Sequence, residues 1–199
     1  MIQQLVIASN NLKKREEIEH ILSSLNINVL PAEQTRFVEV VEDGKTFAEN
    51  AQKKAEAFML ANQLPALADD SGLCVVALNG APGVYSARFA GEEASDTENN
   101  EQLLSELGDI KPRKASFHCA LHLAIPNKSP VVAEAKVDGF ILDHLLGDVG
   151  FGYDPLFFSP KLNKTFAQAT PEEKASISHR GRALRLLKNE LEKPFVRFK

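Results

Sequence analysis

Two successive aspartates are the strongest indication of chemistry in this sequence. Asp69 and Asp70 open a polar segment, Asp-Asp-Ser-Gly, that lies between two apolar runs. Mg²⁺ prefers hard oxygen ligands and commonly joins one or two carboxylates to substrate phosphates. Glu42 and Asp43, earlier in the chain, could supply a second carboxylate. A loop between strands favours a functional site, although Asp, Ser and Gly are also the residues that solvated turns prefer.

A second candidate is the polar turn after the first apolar run. It contains Ser9, Asn10 and Asn11 and is followed by Lys13 and Lys14. A helix that begins here would direct free N–H groups and the positive end of its dipole at a phosphate. The alternative is an ordinary helix cap with solvated lysines. Because the chain has no GxxxxGK pattern, a P-loop ATPase or GTPase is disfavoured.

A third candidate is the segment 150–155, Gly-Phe-Gly-Tyr-Asp-Pro. Its glycines allow the backbone to approach a ligand, and its aromatic faces can stack on a base. The alternative is a tight turn before a buried strand.

The fourth candidate is Ser-His-Arg-Gly at 178–181, preceded by Lys174. Lys174 and Arg180 supply positive charge, and His179 could donate a hydrogen bond to a carbonyl. A basic helix start on the surface is the alternative.

The first elements predicted from the sequence are a strand, a polar turn and a helix. Residues 2–8, which contain the apolar run 5–8, are predicted to form a buried strand. A second helix begins at Thr46 with a capping box completed by Glu49, and continues to about Asn62. The apolar face of the first helix consists of Ile18, Ile21, Leu22 and Leu25.

The acidic pair is predicted to lie at a strand end. Residues 65–68 form a short strand, residues 69–72 break it, and residues 73–78 resume extended structure. The side chains of 115–125 alternate in polarity, which predicts a long strand, and 131–142 should return antiparallel to it.

Helices are predicted around these strands. Asp96 and Thr97 are predicted to cap one helix. Thr170 and Pro171 begin another, and a last helix carries Ala183, Leu184, Leu187 and Leu191.

Composition indicates a globular protein. The chain has 199 residues, 44% hydrophobic and 25% charged, with a net charge of −4. One domain is expected. The sequence shows no basic patch for a nucleic acid polymer, and its N-terminal apolar run is too short for a signal peptide or a membrane span. We therefore expect a cytosolic protein.

The cysteines and two histidines predict no metal site. Cys74 and Cys119 lie in apolar segments and are expected to be buried thiols. His118 and His122 share one strand face, but a rise of about 3.3 Å per residue separates them by roughly 13 Å, too far for one metal.

The order and spacing of these segments resemble the Ham1 family of non-canonical purine triphosphate pyrophosphatases, also called inosine triphosphate pyrophosphatases. The family's bacterial pattern opens the first loop with Thr-Gly-Asn, where this chain has Ser9, Asn10 and Asn11. The resemblance is carried by residues 9–14, 47–51, 68–73, 80–91, 150–155 and 178–181.

The resemblance implies an α/β fold with an elongated, mixed and twisted β-sheet and flanking helices in two lobes around a central cleft. It implies one pyrophosphatase domain over residues 1–199, usually as a homodimer. The implied reaction is Mg²⁺-dependent hydrolysis of dITP, ITP and XTP to the monophosphate and pyrophosphate.

The resemblance also implies roles for individual residues. Asp70 would be catalytic, as the acceptor of the proton from the attacking water, and Glu42 and Asp70 would bind Mg²⁺. The residues implied in substrate binding are Ser9, Asn10, Asn11, Leu12, Lys13, Lys14, Ser71, Phe151, Gly152, Tyr153, Asp154, Lys174, His179 and Arg180.

Two other functions remain open at the level of sequence. One is a related pyrophosphatase that acts on pyrimidine or modified canonical nucleotides. The other is a non-catalytic regulator that binds nucleotides without turnover, which the presence of Glu42, Asp70 and Lys14 disfavours.

Overall fold

The computed structural model describes residues 4–9, 11–23, 28–36 and 38–192. Within these ranges seven strands form one mixed sheet in the order β2-β1-β3-β4-β5-β6-β7. Strand β1 pairs in parallel with β2 and β3, and the remaining pairs are antiparallel. The strands are β1 Gln4–Ile7, β2 Asn28–Val29, β3 Ala66–Val75, β4 Lys114–Ala124, β5 Val131–Ile141, β6 Phe157–Ser159 and β7 Lys164–Thr165.

Helices flank this sheet, so the predicted α/β class with a mixed sheet is confirmed. The α-helices are α1 Leu12–Leu22, α2 Phe47–Asn62, α3 Asp96–Leu107, α4 Pro171–Ile177 and α5 His179–Glu192. A 3-10 helix spans Gly83–Arg88. The predicted residues 2, 3 and Leu25 lie outside the described ranges.

Two predicted helix starts have different outcomes. The capping box of Thr46 and Glu49 at α2 is confirmed. The prediction that Asp96 and Thr97 cap α3 is wrong, because the N-cap is Ser95. Its hydroxyl accepts from Glu98 N and the Glu98 carboxylate accepts from Ser95 N, a reciprocal pair that satisfies two backbone donors.

The predicted break at residues 69–72 is also wrong. Strand β3 runs without interruption, because residues 66–75 pair one by one with residues 124–115 of β4. Ladder hydrogen bonds outweigh the turn preference of Asp, Ser and Gly. The predicted extended structure of 73–78 ends at Val75, since Val76–Leu78 is a 3-10 helix. The antiparallel return of β5 along β4 is confirmed.

The two faces of β3 belong to different layers. Leu67 packs in a core with residues of α1 and α5, including Ile18 and Leu184. Ala66 and Ala68 pack in another core with Phe58 of α2. Because side chains alternate along a strand, Asp69 follows Leu67 toward α1 and α5, and Asp70 follows Ala68 toward α2.

The end of β1 leaves room for a site beside these acids. Strand β1 pairs with β3 only at Val6 with Ala66 and Ile7 with Leu67, whereas β3 continues to Val75. The chain leaves β1 at this point and enters α1, whose Lys14 reaches Asp69. A ligand beside the polar part of β3 can therefore meet groups from both faces of the sheet.

Both cysteines are free thiols. Cys119 is buried as predicted, whereas Cys74 is only half-buried. None of the helices within the described ranges combines the length and the apolar composition needed to cross a bilayer.

Gly181 sets the close approach of α4 and α5 beside Arg180. A Cβ at Gly181 would lie 1.9 Å from the carbonyl oxygen of Ala175. We expect Gly181→Ala to lower the free energy of unfolding by about 2 kcal/mol, because this clash outweighs a helix-propensity gain of about 1 kcal/mol. Urea denaturation measures the change. Asn189→Ala, at an exposed position of α5, is the control and should keep or slightly raise stability. A Gly181→Ala protein as stable as the parent would contradict the packing argument.

Candidate active site

The carboxylate of Asp69 is fully buried and accepts from groups on several elements. Arg180 Nε lies 3.0 Å from Oδ2, and Lys14 Nζ lies 3.1 Å from Oδ1. Ser71 Oγ donates to Oδ1 at 2.9 Å and Cys119 Sγ to Oδ2 at 3.0 Å. Asp69 therefore joins α1, β3, β4 and α5 at one point.

The charge of Asp69 is stabilised by these neighbours. Burial alone would raise the pKa of Asp69, but Arg180 and Lys14 hold it well below its usual range. Burial, together with the charge of the same carboxylate, raises the pKa of the Cys119 thiol. At neutral pH Cys119 is therefore a protonated donor to an ionised Asp69.

Asp70 meets a different set of groups, on the α2 face. Lys54 Nζ lies 3.2 Å from Oδ1, and Asn50 Nδ2 donates to Oδ2 at 3.2 Å. Burial raises the pKa of Asp70, and the nearby charges of Glu42 and Asp69 raise it further against the opposing effect of Lys54 and Lys14. Such a carboxylate is better suited to accept a proton than Asp69 is.

Glu42 reaches the same ammonium group as Asp70. Its Oε2 lies 2.7 Å from Lys54 Nζ. Arg88 Nη2 donates to the Glu42 carbonyl at 3.1 Å. Gly44 N donates to Asn50 Oδ1 at 2.8 Å. These two hydrogen bonds fix the coil that carries Glu42. Burial opposes ionisation of Glu42, but Lys54 holds its pKa below the ordinary value.

A second ionic cluster lies on the α1 face. Lys174 Nζ lies 2.6 Å from Asp154 Oδ2 and 2.7 Å from Glu17 Oε1. Glu17 also pairs with Arg180 Nη1. Lys174 and Arg180 are buried, so the interpretation of the 178–181 segment as a basic surface helix start is wrong.

Phe151 lies against the cations of this cluster. Lys174 Nζ is 4.8 Å and the Arg180 guanidinium carbon 5.7 Å from its ring centroid. Asp154 Oδ2 accepts from Phe151 N at 3.0 Å, which closes the turn. The aromatic face is therefore held beside positive charge.

Tyr153 and His179 have different surroundings. Tyr153 is buried and lies in the lining of the smaller cavity described below, and its hydroxyl donates to Ser86 O at 2.9 Å. His179 stacks on Phe117 at 4.8 Å between centroids. Burial and the charge of Arg180 hold the pKa of His179 well below its ordinary value. Among the described residues, its buried Nδ1 has no hydrogen-bond partner.

The loop after β1 provides the start of α1. Asn11 is the N-cap, and its Oδ1 accepts from Lys14 N at 3.0 Å. Ser9 Oγ accepts from Asn11 N at 3.2 Å, and Lys13 Nζ donates to Gly150 O at 3.0 Å. Leu12, the first residue of α1, is 68% exposed. The predicted site residue Asn10 lies outside the described residues.

Two adjoining cavities connect these groups. One, of about 270 Å³, is lined by Ser9, Glu42, Lys54 and Asp70 among others. The other, of about 100 Å³, is lined by Phe151, Lys174, His179 and Arg180 among others. Asn11, Lys14, Ser71 and Ala87 line both. Most of the predicted site residues therefore line one of two adjoining cavities, whereas Leu12 and Lys13 line neither.

Lys54, Asn50 and Glu17 are among the residues of this region that were not predicted as site residues from the sequence. Lys54 and Asn50 lie one helical turn apart on α2, where they read as ordinary helix residues. Glu17 reads as one of several acids on α1. The available signal was the position of Asn50 four residues before Lys54, on the helix that follows Glu42.

No group of three or more His, Cys, Asp or Glu side chains in the described part of the chain could hold a metal on its own. His118 stacks on Phe47, and its Nε2 lies 2.9 Å from Ser116 Oγ. His122 is buried nearer the other end of β4. A metal in the cleft would therefore depend on a pair of carboxylates together with oxygen atoms of a ligand.

Comparison with known proteins identifies the family. The model of the Ham1 family matches residues 5–190. The chain belongs to the Ham1 family. A dITP/XTP pyrophosphatase of Clostridium perfringens is 48% identical over 199 residues, covering 96% of this chain and 98% of the relative. A dITP/XTP pyrophosphatase of Geobacter sulfurreducens is 50% identical, covering 94% and 96%.

Solved Ham1 structures share the fold. The Staphylococcus aureus Ham1 protein superposes with a TM-score of 0.85 at 45% identity, covering 95% of this chain and 98% of that one. A HAM1 protein from Coxiella burnetii gives a TM-score of 0.87 at 41% identity, covering 96% and 98%. The sheet order and flanking helices are therefore those of the Ham1 fold.

Substitution of the two aspartates should change stability by very different amounts. We expect Asp69→Asn to lower the free energy of unfolding by about 3–5 kcal/mol, because it removes the central partner of buried cations. Asp70→Asn should change it by less than about 1 kcal/mol, because ionised Asp70 is itself disfavoured by burial. Urea denaturation at neutral pH compares the two variants. Equal losses would show that the two faces of β3 do not differ as argued.

Proposed function

We propose that the chain is a Mg²⁺-dependent pyrophosphatase that converts inosine- and xanthosine-type purine triphosphates to the monophosphate and pyrophosphate. The observation that carries the proposal is the convergence of Glu42 and Asp70 on one cation, Lys54, in a cavity shared with Lys14. The printed names of the relatives, dITP/XTP pyrophosphatase, support the same substrate class.

The phosphate end of the substrate is assigned to the cavity beside α2. Lys14 and Lys54 line it and supply positive charge. The N-terminus of α1 supplies the backbone N–H groups and dipole that bind phosphate oxygens. Ser9, Asn11, Leu12 and Lys13 belong to this segment, and we assign Asn10 to it from the sequence alone.

Mg²⁺ fits the donor set at Glu42 and Asp70. Both offer hard carboxylate oxygens, and both already contact the Lys54 ammonium, so two negative charges face one cation position. When bound, the ion neutralises charge on the triphosphate and favours departure of pyrophosphate. Lys54 would remain beside the ion as a further phosphate contact.

Base recognition is assigned to the smaller cavity. A 6-oxo purine offers an acceptor where adenine has an amino donor, and a site built for the acceptor rejects adenine because an unsatisfied pair remains. His179, whose Nδ1 has no hydrogen-bond partner within the described ranges, and Arg180 supply the polar groups. Phe151 supplies an aromatic face, and Ser71, Asp154 and Lys174 hold these groups in place.

Asp70 is assigned the proton transfer. Addition of water across the α–β anhydride gives the monophosphate and pyrophosphate, and Asp70 accepts the proton that the water loses. Its position favours this role, since Asp70 lines the cavity to which the phosphates are assigned and can reach a water beside the anhydride. Asn50 orients the acceptor through its hydrogen bond to Oδ2.

We also propose that the chain acts as one pyrophosphatase domain and as a homodimer in the cytosol, as the family resemblance implies. Sedimentation of the purified protein measures the mass of the assembly, and a monomer at micromolar concentration would exclude the dimer.

The first test is a panel of triphosphates, assayed for pyrophosphate release with Mg²⁺. We expect ITP, dITP and XTP to be hydrolysed at least about a hundredfold more efficiently than ATP. Asp70→Asn should lower turnover of ITP at least a hundredfold at saturating Mg²⁺. Preferred hydrolysis of a pyrimidine triphosphate would replace the proposed substrate class, and ITP binding without hydrolysis would indicate a regulator.

The second test separates Glu42 from its neighbour Asp43. Glu42→Gln should raise the Mg²⁺ concentration for half-maximal rate about tenfold, because it removes one of two charged ligands. Asp43→Asn is the matched control, since Asp43 is exposed and pairs with Lys53 outside the cavity. A titration of rate against Mg²⁺ gives both values. Equal shifts in the two variants would remove Glu42 from the proposed metal site.

A further inference from the structure

Helix α3 holds the backbone of Gly152 from both sides. Asp96 Oδ2 accepts from Gly152 N at 2.8 Å. Asn100 Nδ2 donates to Gly152 O at 2.8 Å. The donor and the acceptor of one residue are thus satisfied by two side chains one turn apart on the same helix, 56 and 52 positions away in the chain.

These contacts are not part of the cap of α3. Ser95 and Glu98 already form the capping box, which leaves the Asp96 carboxylate for Gly152. Asn100 is buried, and its Oδ1 has no partner among the described residues. An unpaired buried acceptor lowers the free energy of unfolding. For stability alone, a Leu side chain would therefore suit this position better than Asn. Asn100 Nδ2 also donates to the Asp96 carbonyl at 2.6 Å, one turn earlier in α3, so its amide joins α3 to the carbonyl of Gly152.

Gly152 lies between the residues that form the base end of the cleft. Phe151 precedes it and lies over Lys174 and Arg180, and Asp154 follows and pairs with Lys174. Gly152 has a φ of +59°, a conformation that glycine adopts readily. The two peptide groups on either side of its Cα, one carrying Gly152 N and the other Gly152 O, can rotate more freely than at other residues, and the contacts with α3 fix both.

We infer that Asp96 and Asn100 are positioning residues that set the orientation of Phe151 and so the base selectivity of the site. This inference rests on the proposed function. Asp96 and Gly152 both line the smaller cavity. The backbone that Asp96 holds is therefore part of the wall of the proposed base site. A displacement of the aromatic face by even about 1 Å is enough to change the binding of a stacked ring.

Kinetics with ITP and ATP test the inference. We expect Asp96→Ala to raise the KM for ITP about tenfold with a smaller change in kcat, and to lower the ITP to ATP preference by a similar factor. Asp96→Asn should recover most of the effect, because its amide oxygen can still accept from Gly152 N. Asn100→Leu should resemble Asp96→Ala. The control is Glu101→Gln, which removes a charge from an exposed position of α3 and should leave KM unchanged.

Amide NMR gives a readout that does not depend on activity. The Gly152 amide resonance should move and its hydrogen exchange should quicken in Asp96→Ala, with a smaller change in Asp96→Asn. An unchanged KM and ITP to ATP ratio in folded Asp96→Ala would overturn the inference while leaving the proposed function intact. A parent protein that fails to hydrolyse ITP would instead overturn the proposed function, and the inference with it.

Discussion

The buried charge of Asp69 is the interaction on which the arrangement of the cleft depends. A carboxylate removed from water is stable only when it is paired and hydrogen-bonded. Asp69 meets this condition with Lys14 from α1 and Arg180 from α5, while Ser71 and Cys119 satisfy its remaining lone pairs. The start of the first helix and the start of the last helix are thereby held against the same strand. The proposed phosphate end and the proposed base end take their separation from that contact.

Alternation along β3 gives two adjacent acids opposite properties. Asp69 faces cations that keep it charged, so its pKa is well below the ordinary value. Asp70 faces α2, where its burial, and to a lesser extent the charges of Glu42 and Asp69, raise its pKa. One acid is therefore suited to structure and the other to proton transfer, although they are identical and consecutive in sequence. The short strand β1 ends before it reaches the two acids. One ligand beside β3 can therefore contact both of them.

Much of the fold was predictable because its signals are local. The capping box at Thr46 and the alternation along β4 each depend on residues that are neighbours in the chain. The prediction of a break at residues 69–72 was wrong because β3 forms ladder hydrogen bonds with β4. The paired residues of β4 lie about fifty positions away in the chain. The prediction of the α3 cap was wrong by one residue. Ser95 and Asp96 are both good caps, and only the reciprocal contact with Glu98 decides between them.

The sequence by itself determined the family, the mixed α/β class and the segments from which the cleft is built, because residue type and spacing along the chain carry that information. Only the tertiary structure decided which acid faces which layer, that Lys54 joins Glu42 to Asp70, that Glu17 joins Lys174 to Arg180, and that Tyr153 is buried. The physical reason is that electrostatic and hydrogen-bond partners are chosen by distance in space. Glu17 and Arg180 are far apart along the chain, and no local pattern reports that folding brings their charges into contact.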